Sequence, residues 1–337
     1  MDGMDQPDPA RNGVRPGVIP SSAFGFDRPV PEGGYLWWYI DAVSDDGQNA
    51  LVIIAFVGSV FSPYYAVRGW LDPDNHCAIN VALYGRPSRW AMTERGRGQV
   101  ARSANEFTVG PSQLRVVGDQ LVIDIAERGA PLPLPVHGRV TVTMPHQTNH
   151  PFELDPAGRH KWQPICTSAK VDLSFDAPDL SWSGHGYVDS NFGAEPVTRG
   201  FDYWDWSRTP LPGGQTEVRY VTDPVSGNRR DLNVRFRKDG TFEHCDPQPD
   251  THVSATPIWR IQRRAGLLRD TAPKVYRTLE DTPFYSRSVL AYPKGAAGYT
   301  VHETLSCERL RSPIVRAMLP FRMPRWPVGS AARPSAS

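Results

Sequence analysis

The sequence predicts an all-β protein, a sandwich or barrel of many short strands. Three observations carry this. The 337 residues include 33 Pro and 29 Gly, a density that breaks long helices and favours strands joined by turns. Short apolar or alternating runs bounded by turn residues recur along the whole chain. Strand-like and helix-like segments do not alternate, which disfavours a doubly wound sheet.

The elements follow in order. Structure is expected to begin near Gly33-Gly34, after a Pro-, Gly- and Asp-rich segment over residues 1–27 that reads as poorly ordered. Tyr35 to Asp41 is aromatic and β-prone. Asp45-Asp46-Gly47 then turns the chain into the run from Ala50 to Phe61, whose Val52, Ile53, Ile54 and Val57 read as a buried strand. Further strands are expected at 79–84, 113–117, 120–125, 139–144, 170–175 and 180–188. The rhythm continues at 217–221, 232–236, 258–261, 288–292 and 299–305, with Lys238-Asp239-Gly240 as a hairpin signal. Only 265–268 and 313–318 look helical. A boundary is expected near residues 190–203, around Gly193-Ala194-Glu195-Pro196. It divides the chain into the 1–27 segment, barrel-like domains over 28–195 and 196–308, and a basic, apolar tail over 309–337.

Bulk properties exclude several classes. A formal net charge of +1 gives no footprint for nucleic acid. The apolar stretch from Ala50 to Phe61 is too short to span a bilayer as a helix. Cys77, Cys166, Cys245 and Cys307 form no CxxC pair, so a zinc cluster is disfavoured and free thiols are expected. Residues 1–20 are polar and acidic rather than signal-like, so a cytoplasmic location is expected. No P-loop, HExxH, GxSxG or GxGxxG motif after a strand is present.

Four segments carry candidate chemistry. In extended chain, His160 and Trp162 share one face, as do His185, Tyr187 and Asp189. Gly184 and Gly186 clear space for a close neighbour, strand or ligand. A desolvated Asp189 would have its pKa raised and become a usable general acid. The same segment also reads as a sheet edge closed by an Asp-Ser-Asn turn. Trp204 and Trp206 share a face, either as core or as an aromatic wall for a ligand. Arg208 could pair with Asp189 or Asp205, or face solvent. The tail from Arg309 to Trp326 mixes Arg with large apolar residues. It suits the surface of an anionic membrane or an extension packed on a barrel.

Gly184 to Gly193, the following Trp204-Asp205-Trp206-Ser207-Arg208, Gly33 to Tyr39 and His160-Lys161-Trp162 together resemble the carotenoid 1,2-hydratases, or hydroxyneurosporene synthases, of phototrophic bacteria. The resemblance runs from about Gly33 to Leu310. It implies two lipocalin-like β-barrel domains of calycin or AttH type. It also implies hydration of the terminal 1,2 double bond of acyclic carotenoids such as neurosporene and lycopene, without a cofactor. The family's His–Trp and Tyr–Asp pairs fall on His160, Trp162, Tyr187 and Asp189.

On that reading Asp189 protonates the alkene, and Trp162 and Tyr187 offer π faces to the tertiary cation. His160 orients the water and takes its proton. Trp204, Trp206, His185, Asp205 and Arg208 are assigned to substrate binding. The partners are the carotenoid and water, with peripheral membrane contact through the tail. A non-catalytic carrier of an apolar ligand, and a terpenoid or polyketide cyclase on the same scaffold, stay open as alternatives.

Overall fold

The computed structural model describes residues 24–268, 270–293 and 298–325. Two large antiparallel sheets dominate it. The first runs in the order Arg89–Arg95, Cys77–Tyr84, Ala50–Val57, Tyr35–Ser44, Asp179–Gly193, His160–Ala177, Pro135–Thr143, Gln120–Arg128, Ser112–Val117, Glu106–Val109 and Val100–Ser103, with Phe152–Glu153 added beside His160–Ala177. It curls until its first strand meets Gln120–Arg128, where Arg95 pairs with buried Glu127 at 3.2 Å. The sheet is therefore a nearly closed barrel. The second sheet has seven strands, from Phe242–His244 through Arg230–Phe236, Gln215–Pro224, Phe201–Leu211, Thr300–Ser306 and Tyr285–Ala291 to Lys274–Asp281. The hairpin of Asp250–Val253 and Arg263–Gly266 stands apart.

Alternation along the strands decides where each core lies. On Tyr35–Ser44, Trp38 and Ile40 point into the barrel with Val171 and Val188. Tyr35, Trp37 and Tyr39 point the other way, against Trp204 and Trp206 of the second sheet. The barrel's outer face is thus buried by the second sheet along this strip. The first sheet ends at Gly193 and the second begins at Phe201, joined through the short helix Val197–Gly200.

Several expectations need correction. Residues 24–27 belong to the fold: Phe24 and Phe26 are buried in the barrel, Phe26 against Trp38 and the Phe24 carbonyl accepting from Trp38 Nε1 at 2.8 Å. Residues 1–23 lie outside the described residues. The expected helix at 265–268 is instead the end of the Arg263–Gly266 strand. The expected strand at 258–261 is a turn, because the Asp281 carboxylate collects the backbone N–H of Ile258 at 2.7 Å and Arg260 adopts a φ of 54°. Four short helices are present among the described residues. The tail helix Pro313–Arg322 is longer than expected and keeps Pro320 near its end. Cys77, Cys166, Cys245 and Cys307 are free thiols. No helix among the described residues is long and apolar enough to cross a membrane.

Candidate active site

The antiparallel pairing of Tyr35–Ser44 with Asp179–Gly193 sets Tyr39 opposite Asp189 and Asp41 opposite Tyr187. All four side chains lie on the barrel's outer face and are buried beneath the second sheet. On the other side, His160–Ala177 places Trp162 opposite Asn191, so its indole lies diagonally from Asp189.

Asp189 is 3% exposed, and its carboxyl is held asymmetrically. Oδ2 accepts from Trp162 Nε1 at 2.8 Å and from the Tyr187 hydroxyl at 2.8 Å. Oδ1 is buried with no hydrogen-bond partner among the described residues. Burial disfavours the carboxylate and pushes its pKa up to about 8, although the two donors pull it down. The carboxyl is therefore mostly protonated at neutral pH. It lines a small cavity of about 40 Å³, together with Trp37, Tyr39, Trp204, Trp206 and Glu303 among others. That cavity shares Trp37, Tyr39, Trp204 and Glu303 with a largely apolar one of about 480 Å³. The larger cavity reaches Trp259, Met318 and Phe321 at the protein surface.

Trp162 and Tyr187 serve this site through their polar atoms. Both are fully buried and line neither cavity, and Trp162 stacks on Phe152 at 5.1 Å. The aromatic surface that faces the small cavity comes instead from Trp37, Tyr39, Trp204, Trp206 and Tyr220. Sequence reasoning placed Trp204 and Trp206 in the site but gave no role to the other three. For Trp37 and Tyr39 the signal was their period-two spacing, the same as that of Trp204 and Trp206.

His160 lies elsewhere in the site region. It pairs in register with Gly193, four residues from Asp189 and thus about 13 Å further along the sheet. Its Nδ1 is 2.9 Å from the Tyr35 hydroxyl and its Nε2 is 3.2 Å from Glu195. Both ring nitrogens are engaged, and the ring packs against Phe201. Burial lowers its pKa, opposed by Asp155 and Glu195. The geometry does not bring His160 to a water beside Asp189.

Three assigned binding residues also fall outside the cavity. His185 shares the face of Tyr187 but reaches solvent. Its side chain is 85% exposed, 3.6 Å from Asp45. Asp205 faces the far side of its sheet from Trp204 and Trp206, where it binds Arg264 at 2.8 Å and the Thr304 hydroxyl at 2.6 Å. Arg208 neither pairs with Asp189 or Asp205 nor faces solvent. It crosses between the sheets to Asp41, with Nε 2.7 and 2.9 Å from the two carboxylate oxygens. Gly184 and Gly186 are packed tightly by neighbouring strands, at Val43–Ser44 and Val171 respectively.

Glu303 was missed altogether. It sits opposite Trp206 and Arg287 in Thr300–Ser306, a strand whose seven residues are all buried. Its Oε1 accepts from the Tyr39 hydroxyl at 2.7 Å and from Arg287 Nε at 2.7 Å. A charged residue in an otherwise buried run was the available signal. Among the described residues no cluster of three or more His, Cys, Asp or Glu side chains is placed to hold a metal ion.

Comparison with known proteins agrees with this architecture. Two crystal structures share the fold: one from Nitrosomonas europaea described as an AttH, with a TM-score of 0.59 at 12% identity over 89% of this chain and 99% of its own, and kievitone hydratase from Nectria haematococca, with a TM-score of 0.55 at 11% identity over 86% and 93%. The chain is 46% identical over 318 residues to the acyclic carotenoid 1,2-hydratase of Thiocapsa roseopersicina, covering 93% of this chain and 78% of the relative. It is 46% identical over 307 residues to that of Rubrivivax gelatinosus, covering 89% and 75%. The family model described as carotenoid hydratase CrtC matches residues 53–331, and the chain belongs to that family.

Proposed function

We propose that the chain adds water across the terminal 1,2 double bond of acyclic carotenoids such as neurosporene and lycopene, giving a tertiary alcohol. As a member of its family it is a carbon–oxygen hydro-lyase acting on carotenoids. One observation carries the mechanistic reading: a buried carboxyl, pushed toward its protonated form by desolvation and with one bare oxygen, lines an aromatic cavity.

Hydration of an isolated alkene needs a proton donor, tolerance of a cation and a positioned water. Asp189 donates its proton to the less substituted carbon, and the alkene's electron pair forms the new C–H bond. Positive charge then develops at the tertiary carbon, facing Trp37, Tyr39, Trp204 and Trp206. Their π faces stabilise such charge by about 2 kcal/mol or more each when water is excluded. Trp162 and Tyr187 hold the carboxyl in place and receive the negative charge it acquires. His160, tied to Tyr35 and Glu195, fixes the neighbouring end of the strand pair.

A carrier would need aromatic walls but not a desolvated acid, and Asp189 at 3% exposure favours catalysis. The cavity mouth meets the tail helix, where Ile314 and Phe321 are 75% and 72% exposed. This supports peripheral attachment to a membrane surface from which an apolar substrate enters. Trp326, part of the expected anchor, lies outside the described residues. Incubation with lycopene or neurosporene, read by mass spectrometry for one added water, tests the reading; no mass gain with either substrate would reject it.

A further inference from the structure

Resting on the hydratase reading, the geometry points to Glu303 as the base that takes a proton from the attacking water. Asp189 supplies the acid, but His160 cannot reach the same water. Another acceptor must lie within the cavity that Asp189 lines.

Glu303 meets that requirement. It lines both the small cavity and the large one. The two carboxyl groups come from different sheets and face the same space across Tyr39. That residue is Asp189's cross-strand neighbour, and its hydroxyl donates to Glu303 Oε1. Arg287 also binds Oε1, which leaves Oε2 with no hydrogen-bond partner among the described residues. Asp189 offers the matching feature, a bare Oδ1. Trp206 Nε1, also buried and unpartnered, adds a donor on the wall of the same cavity. A volume of about 40 Å³ exceeds what one water needs, roughly 10–15 Å³ on this measure.

Other carboxylates near the cavities are already committed. Asp41 gives both oxygens to Arg208. Glu280 lines only the larger cavity and accepts from Tyr84 at 2.8 Å and Arg287 at 3.2 Å.

The step balances without a co-reactant. Asp189 loses its proton to the alkene carbon and becomes a carboxylate. Water oxygen bonds to the tertiary cation while one water proton passes to Glu303. The product leaves as a neutral alcohol. The proton on Glu303 then returns to Asp189 through water in the shared cavity, restoring both groups. Arg287 holds the Glu303 carboxylate in place through Oε1.

The test is Glu303→Gln assayed with lycopene in heavy water, beside wild type and Asp189→Asn. If Glu303 is the base, hydration falls 100-fold or more. Asp189 still deuterates the terminal alkene reversibly, so recovered lycopene gains deuterium without gaining water. Asp189→Asn shows neither reaction. Wild-type hydration by Glu303→Gln overturns the assignment while leaving the hydratase reading intact. Loss of both hydration and deuterium exchange in a folded Glu303→Gln protein also overturns it, since Glu303 would then serve the acid step. If Glu303→Gln does not fold by circular dichroism, Glu303→Asp is read the same way. Slowed hydration with full deuterium exchange supports the base, and loss of exchange or unchanged hydration rejects it. Failure of wild type to hydrate lycopene or neurosporene is a separate result, because it removes the hydratase reading itself.

Discussion

Trp162 Nε1 lies 2.8 Å from Asp189 Oδ2, although the two residues are on neighbouring strands and out of register by two positions. The length of the indole spans that diagonal and still places its N–H for a hydrogen bond. The contact binds one oxygen of the proposed acid and leaves the other bare. Replacing Asp189 with Asn keeps the shape and an acceptor for both donors but removes the transferable proton. Hydration of lycopene is expected to fall by at least 100-fold, with the circular dichroism spectrum unchanged; turnover near the wild-type rate would remove Asp189 as the acid.

The pH dependence follows from the same carboxyl. Its pKa is pushed up to about 8 by burial, and only the protonated form donates. The turnover rate should be flat near neutrality and fall about tenfold per pH unit above 8. Tyr187→Phe removes a donor that favours the carboxylate, so the descending limb moves to higher pH while the plateau drops. A limb that stays in place or moves down would show that Tyr187 does not act through Asp189.

Stability should run against activity at this site. Between about pH 4 and 8 the folded protein keeps a proton on Asp189 that the unfolded chain releases. Unfolding therefore becomes easier as pH rises through that window. Glu127, raised to about 7 by burial, adds in the same direction. Asp189→Asn should melt above wild type at pH 8.5, and the difference should vanish by pH 4.

Arg208 is expected to matter for folding rather than for substrate. Arg208→Met leaves Asp41 buried without its partner between the sheets, a loss of about 3–5 kcal/mol. A lowered urea midpoint is the readout, and the double variant Asp41→Asn/Arg208→Met should recover part of it.

The tail prediction concerns access. Ile314→Asp should reduce co-flotation with anionic vesicles several-fold, while hydration of detergent-solubilised lycopene persists. Unchanged flotation would dismiss the tail helix as a membrane contact.

Much of the barrel was legible because its strands alternate or run apolar between Gly and Asp turns. The 258–261 segment misled for a long-range reason: its extended-looking Ile258-Trp259 pair is turned by Asp281, more than twenty residues away. The Asp189 environment was readable in part, since spacing two puts Tyr187 and Asp189 on one face. The same spacing promoted His185, because a sequence does not reveal where one sheet stops covering another. His160 illustrates a related limit. The family resemblance placed His160 at the same water as Asp189, whereas the strand register separates them by four residues. Glu303 was hidden because its partners, Tyr39 and Arg287, come from opposite parts of the chain.

The burial of Asp189 beneath the second sheet carries a consequence for how such a protein can be inherited. The first sheet alone would present an aromatic strip to water and an ordinary carboxylate, because the walls that desolvate it lie beyond Phe201. A gene split between the codons for Gly193 and Phe201 would yield two products, neither holding a proton at neutral pH for an alkene. Acidity here belongs to the pairing of the halves, so selection for it acts on their remaining together.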